Sequence, residues 1–284
     1  MMNVLVTGSN GQLASCIKDH AKQYDGLNFI YTDYEELDIC NLNDLEEFFK
    51  TNQKIDYCIN CAAYTAVDKA ESEVEKAFEI NATGPKNLAQ VCSEFDTILI
   101  QISTDFVFDG EKTEPYVETD VANPISVYGA SKLQGEVEIQ KTYKKHFIIR
   151  TSWLYCEHGT NFMTTMVRLA ETRDEISVVS DQIGTPTYAG DLAEVILKIV
   201  RSKNTNFGLY HYSNDGVASW YDFAKAIFEE SNKEIRLNPI KTEAYPTAEK
   251  RPFYSVMDKT KIKSALKIEI PFWDDSLIKA IENR

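Results

Sequence analysis

Tyr128 and Lys132 stand four residues apart in the stretch Ser126–Glu136, which reads SVYGASKLQGE. On a helix that spacing puts both side chains on one face. A tyrosine of pKa about 10 exchanges protons poorly at neutral pH. A neighbouring ammonium favours the phenolate and lowers that pKa, which makes the pair a candidate proton donor and its tuner. The same spacing also arises by chance in helices. The small residues Gly129, Ala130 and Gly135 add to it by permitting close approach of a cofactor or a neighbouring helix. Ser103 and Thr104 offer a hydroxyl at the end of the apolar run TILIQIST. In a parallel sheet that is the edge where ligands bind.

A second chemical feature opens the chain. Gly8 and Gly11 follow the apolar run NVLVTG and precede a helical pattern, with Ala14 where a third glycine often stands. Glycine lets backbone N–H groups approach a pyrophosphate at the positive end of the helix, and Asn10, Gln12 and Leu13 belong to the same loop. A tight strand-to-helix turn also favours glycine. The loop nonetheless closes the first strand of an alternating chain, where dinucleotides bind. Asp33 ends the second strand about 20 residues on, where an acidic side chain commonly holds the adenosine ribose. TDYEELD contains no Arg or Lys to meet a 2′-phosphate. By charge alone this favours NADH over NADPH, unless a basic residue enters from elsewhere in the fold. Asp38 and Ile39 would flank the adenine, although Asp38 reads equally well as a helix cap.

These residues need a scaffold, and the chain supplies alternating elements. Strands are expected at Asn3–Gly8, Asn28–Asp33, in IDYCINCAA, and at Thr97–Thr104 and His146–Trp153. Helices are expected from Gln12 to about Tyr24, over Asn43–Asn52 with Asn41 or Asn43 as cap, from about Glu73 to Phe95, and from Ser126 onward. Gly84-Pro85 marks an irregularity in the third of these. Apolar strands alternating with helices imply an α/β fold, a Rossmann-like doubly wound parallel sheet covered on both faces. After about Thr160 the alternation weakens. Helices are expected at Phe162–Glu171, Asp191–Arg201 and Ser219–Glu230, with short strands ISVVS and GLYHYS between them and a loop over residues 238–255. The division expected is a dinucleotide-binding domain over 1–155. A smaller C-terminal, mainly substrate-binding α/β part covers 156–284 and returns some segments to the first.

Composition narrows the function classes. The 284 residues are 43% hydrophobic and 26% charged, as in an ordinary globular protein. A formal net charge of −14 without a basic face argues against nucleic acid. No run of roughly eighteen apolar residues occurs, so no membrane span is expected. MMNVLVTGSNGQ lacks the pattern of a secretory signal, and a cytoplasmic protein is expected. Cys58 and Cys61 form a C-x-x-C, but DYCINCAAY reads as a buried strand running into a loop. Redox pairs sit at a helix N-terminus, and zinc would need two more ligands at close spacing. Buried structural thiols are the expectation for the six cysteines.

The glycine loop, STD and Tyr-x-x-x-Lys, in this order, resemble the extended short-chain dehydrogenase/reductase superfamily. Longer phrases narrow the resemblance: AAYTAVDKAE, STDFVFDG, VYGASKLQGE, RTSWLY, DQIGTPTYAGDLA and YPTAEKRPFYS look like the dTDP-4-dehydrorhamnose reductase family, nearly end to end. The resemblance implies reduction of the C4 ketone of dTDP-4-dehydro-L-rhamnose to dTDP-L-rhamnose, with NADPH or NADH as cofactor and a nucleotide sugar as the small-molecule partner. It implies that Tyr128 delivers the proton, that Lys132 holds the nicotinamide ribose and tunes Tyr128, and that Thr104 hydrogen-bonds the carbonyl oxygen. Asp105 and Trp153 would lie along the substrate, while Ala63, Tyr64, Thr65 and Ile102 would line the cofactor. Trp153 could instead be core and Asp105 a loop cap. Arg251 would meet the substrate diphosphate or stand as a solvated loop charge. His211 is expected to be a satisfied buried histidine, and Asp181 and Gln182 to organise a turn.

Cys156 departs from the family's pattern, since a glycine often stands there. Some members bind magnesium at a dimer interface through glutamates, one just after the glycine loop. LASCIK carries no acid there, so no metal and a monomer are expected. A nucleotide-sugar 4,6-dehydratase would place a glutamate after Thr104-Asp105, where this chain has Phe106. An epimerase or another 4-ketoreductase of the superfamily is the nearest rival. A non-catalytic subunit resembling the regulatory subunit of methionine adenosyltransferase is the rival from a different class.

Overall fold

The computed structural model describes residues 1–284. Six parallel strands form the central sheet: β1 (Met2–Thr7), β2 (Leu27–Thr32), β3 (Tyr57–Asn60), β4 (Ile98–Thr104), β5 (His146–Thr151) and β10 (Gly208–His211). Their order is β10-β5-β4-β3-β1-β2. The strand order therefore reverses between β1 and β3, the crevice where doubly wound sheets bind ligands. Between the strands run α1 (Gln12–Ala21), α2 (Leu42–Thr51), α3 (Val67–Ala70), α4 (Val74–Phe78), α5 (Gly84–Glu94) and α6 (Val127–Thr142).

Side chains of a strand alternate between faces, and the core divides accordingly. Val4, Val6, Ile59, Ile100, Phe147 and Ile149 join one apolar cluster, with α1, the helix over Ala189–Arg201 and the C-terminal helices. Leu5, Cys58, Leu99 and Ile148 join the other, with α2, α5 and α6. Each fully buried aliphatic side chain is worth about 1.5–3 kcal/mol, which makes the sheet the stiff part of the molecule.

The remaining chain forms β6 (Leu154–Tyr155), α7 (Phe162–Leu169), β7 (Glu175–Val179), β8 (Ile183–Gly184), β9 (Thr187–Tyr188), α8 (Ala189–Arg201), β11 (Ala218–Ser219), α9 (Trp220–Glu230), β12 (Arg236–Ile240), α10 (Thr260–Leu266) and α11 (Trp273–Glu282). β6 pairs with β9, β8 with β11, and β7 with β12. Three features go beyond the sequence expectation. The stretch expected as helix from about Glu73 to Phe95 contains a π-helical turn at Glu79–Thr83, immediately before Gly84-Pro85. GLYHYS supplies an edge strand of the main sheet, beside β5. β12, α10 and α11 were not anticipated, because their short apolar patterns are completed only by distant partners.

Candidate active site

The glycine loop is held open by its backbone. Gly8 has φ +64°, and a Cβ on it would lie 2.5 Å from the Ala62 amide nitrogen, so β1 and the turn after β3 touch there. Gly11 is the N-cap of α1 and gives it no side-chain cap, leaving the first-turn N–H groups open to an anion. Asp33 anchors the loop: its Oδ2 accepts from Asn10 N at 2.8 Å and its Oδ1 from Tyr34 N at 2.8 Å. The cap of α2 is Asn41, not Asp38; Asp38 Oδ1 accepts from Cys40 N at 2.9 Å.

A cleft of about 1100 Å³ runs from this loop across the carboxyl edge of the sheet. Gly8, Asn10, Gly11, Gln12, Leu13, Asp33, Asp38 and Ile39 line one end. Ala63, Thr65, Ile102, Thr104, Asp105, Tyr128, Lys132 and Trp153 line the rest. Two expected residues lie outside it. Tyr64 is buried, with its hydroxyl 3.1 Å from Glu73 Oε2 and its backbone clamped by Asn81. Arg251 is neither free in solvent nor in the cleft, because its Nη2 pairs with Asp68 Oδ2 at 3.3 Å.

Local packing delivers Tyr128 to the cleft. Ser126 caps α6 by accepting from Gly129 N at 3.1 Å. Gly129 lies so close to the turn at Asp105–Val107 that a Cβ would sit 2.1 Å from the Phe106 carbonyl oxygen. The Phe106 ring then meets the Tyr128 ring edge-on, with centroids 5.6 Å apart. Asn81, from the π-helical turn, donates to the Tyr64 carbonyl and to Ser131 Oγ, both at 3.0 Å. That bond ties α6 to the loop after β3. Ser103 is already committed: it donates to Glu136 Oε1 at 2.5 Å, and Glu136 carries a buried bidentate pair with Arg150. Thr104 is the hydroxyl left for a ligand, donating to Asp105 Oδ1 at 3.1 Å.

The charge states depart from the sequence reading. Lys132 Nζ donates to the Ile102 carbonyl at 2.7 Å, and burial lowers its pKa to about 8 although Glu136 opposes this. Burial raises the Tyr128 phenol above its ordinary value; the Thr104 hydroxyl pulls down, and the Asp105 and Glu249 carboxylates push up. Lys132 is not among the groups that shift the phenol; its ammonium meets the Ile102 carbonyl. Tyr128 is therefore a neutral phenol, the form that donates a proton. Burial also raises Asp105 to about 6 and Glu249 to about 7. Glu249 is 3% exposed and its carboxylate oxygens have no hydrogen-bond partner. Sequence reasoning missed it, since nothing in YPTAEKRPFYS marks one acid as buried.

Trp153 holds a left-handed backbone, φ +47°. Its ring stacks on Trp220 with centroids 3.7 Å apart and covers Gly184. A strained non-glycine residue at a cleft wall is a feature of ligand sites, and the core reading of Trp153 gives way to a wall residue. His211 is buried, its Nδ1 paired with the Tyr116 carbonyl at 3.1 Å, and burial lowers its pKa to about 3. Asp181 Oδ1 accepts from Thr242 N and Oγ1, joining the ends of β7 and β12. Cys58 lies in β3 against Cys92, away from any helix N-terminus. No helix is long and apolar enough to cross a membrane.

The model of the RmlD substrate binding domain matches residues 2–284. The chain is 40% identical to the dTDP-4-dehydrorhamnose reductase of Aggregatibacter actinomycetemcomitans, over 98% of this chain and 97% of that one. It superposes on the crystal structure of a dTDP-4-dehydrorhamnose reductase from Clostridium acetobutylicum with a TM-score of 0.95, at 43% identity and 99% coverage of both chains. The enzyme of that name from Bacillus anthracis, crystallised with NADP, gives a TM-score of 0.95 at 39% identity and full coverage of both chains.

Proposed function

The chain belongs to the RmlD family of dTDP-4-dehydrorhamnose reductases, NAD(P)H-dependent oxidoreductases, and we propose that it reduces the C4 ketone of dTDP-4-dehydro-L-rhamnose to dTDP-L-rhamnose. The observation that carries this reading is the continuity of one cleft. It runs from an uncapped glycine loop to Thr104, Tyr128 and Lys132.

The dinucleotide fits the glycine end, because the backbone approach at Gly8 and the open amides of Gln12 and Leu13 suit a pyrophosphate. Asp33 would take the adenosine ribose; Asp38 and Ile39 would border the adenine; Ala63, Thr65 and Ile102 would line the nicotinamide half. When bound, the reduced nicotinamide supplies hydride to the ketone carbon. Tyr128 gives its phenolic proton to the carbonyl oxygen, so the two additions complete the alcohol. Thr104 turns its hydroxyl from Asp105 to that oxygen as charge develops there. Lys132 keeps one donor on the Ile102 carbonyl and offers the others to the ribose. Trp153 and Asp105 border the sugar. Residues 1–155 would then serve the dinucleotide and 156–284 mainly the nucleotide sugar. Arg251 would reach a substrate diphosphate only by leaving Asp68.

Incubation with the 4-keto sugar nucleotide and NADPH or NADH tests the reading. It expects loss of reduced-coenzyme absorbance and formation of dTDP-L-rhamnose. A purified chain that retains NAD and epimerises a nucleotide sugar without net oxidation would point to the epimerase reading instead.

A further inference from the structure

Outside the catalytic cluster, α1 and the segment after β6 bring together a second set of reactive side chains. Cys16 Sγ, a Glu157 carboxylate oxygen and a His158 ring nitrogen all lie within 4.8 Å of one another. Cys156 is the neighbour of Glu157 in the chain, its thiol donates to the His158 carbonyl at 3.4 Å and to Gln12 Oε1 at 3.6 Å, and both cysteines are buried and free. Glu157 Oε1 accepts from the Tyr188 hydroxyl at 3.2 Å, whereas its Oε2 is buried with no partner. Asp19 Oδ2 sits 2.6 Å from His158 Nε2. The ion pair with Asp19 accounts for one nitrogen of His158; the Cys16 thiol and a Glu157 carboxylate oxygen converge on the ring, and the Cys156 thiol hangs from the adjoining residue.

Two sulfurs, an imidazole and one carboxylate oxygen are the donors of a borderline-soft ion. Magnesium and calcium take oxygen donors, whereas zinc accepts S, N and O in a tetrahedron at about 2.0–2.3 Å. Donors of such a tetrahedron stand roughly 3.3–3.8 Å apart, and the Cys16, Glu157 and His158 donors already lie within 4.8 Å of one another. We propose that Cys16, Cys156, Glu157 and His158 bind one zinc ion that clamps α1 to the wall of the coenzyme cleft. A carboxylate on the second nitrogen of a ligating histidine is a usual support, and Asp19 is placed for it. The clamp touches the coenzyme end: His158, Gly159 and Thr160 line the cleft, and Gln12 Oε1 accepts from Asn161 Nδ2 at 3.0 Å. No metal is expected from the sequence, since LASCIK carries no acid and no second pair stands near Cys58–Cys61. These donors come from segments distant in sequence.

The full chain, kept reduced and stripped with a chelator, is titrated with Co²⁺ and then Zn²⁺. The expected result is one Co²⁺ per chain, with intense thiolate charge-transfer absorption and tetrahedral visible bands, displaced by Zn²⁺. Cys16→Ser and His158→Ala should each weaken Zn²⁺ binding by at least about 100-fold. In the unsubstituted chain Zn²⁺ should raise the thermal midpoint, a gain absent in Cys16→Ser. Circular dichroism and a cooperative urea transition confirm that each variant is folded. A pale octahedral cobalt spectrum, or equal Zn²⁺ affinity in the folded variants, would overturn the proposal. So would a Cys16–Cys156 disulfide that forms in air despite saturating Zn²⁺, since the pair would then be redox-active.

Discussion

Replacing Tyr128 by Phe removes one oxygen and leaves the ring in place. The ring packs edge-on against Phe106, a contact that phenylalanine keeps. The hydroxyl's polar neighbours are Thr104, Asp105 and Glu249. Losing at most one hydrogen bond changes stability by about 1 kcal/mol. The chemical consequence is larger. A positioned general acid is worth about 10²–10⁴ in rate, or about 2.7–5.5 kcal/mol of barrier. The expected Tyr128→Phe enzyme therefore folds normally, binds coenzyme with an unchanged Kd, and turns over at least a hundredfold more slowly. Steady-state oxidation of NADPH by the 4-keto sugar nucleotide gives kcat, and quenching or enhancement of coenzyme fluorescence gives Kd. A loss in kcat smaller than about tenfold, or a weakened Kd that accounts for the whole loss, would refute the assignment of Tyr128 as donor.

Further outcomes follow from the same geometry. Lys132 is lowered from 10.5 to about 8. Below pH 8 it is charged in both the folded and unfolded chain, and its burial penalty is constant. Between about 8 and 10.5 only the unfolded chain holds the proton, so unfolding free energy rises with pH, by up to roughly 3 kcal/mol. Denaturant titrations of coenzyme-free protein at pH 7 and 10 should show this gain relative to Lys132→Met, and parallel curves would contradict it. Glu136→Gln leaves Arg150 charged and buried without its partner, and should cost about 3–5 kcal/mol in urea unfolding; a cost under 1 kcal/mol would remove the ion pair from this account. Asp33→Asn should raise the kcat/KM ratio of NADPH over NADH by roughly tenfold, by removing a negative charge beside the ribose. An unchanged ratio would mean that Asp33 does not face the 2′ position.

What could be read from the sequence was whatever is local. Each central strand through β5 announced itself as an apolar run, and Asn41 and Ser126 stood where helix caps belong. α6 is the instructive intermediate case. The face it buries includes Gly129, Ser131, Lys132, Gly135 and Glu136, which no apolar periodicity marks, so only the Tyr-x-x-x-Lys spacing gave it meaning. The missed features depend on partners far along the chain. Arg251 reads as a free cation until Asp68 is brought to it, and Ser103 looks as available as Thr104 until Glu136 takes it. The bond of Lys132 to the Ile102 carbonyl likewise has no mark in the sequence. Glu249 and Cys16 are ordinary residues in sequence, and only burial gives them chemical interest.

In the proposed reaction the coenzyme gives a hydride to C4 of the sugar and Tyr128 gives the proton. Turnover of the 4-keto sugar nucleotide with NADPH deuterated at the transferred position tests it most directly, with the product read by nuclear magnetic resonance. Deuterium at C4 of the product rhamnose, in an amount equal to the coenzyme oxidised, is the predicted result. Deuterium at another ring carbon, or none in the product, would contradict it.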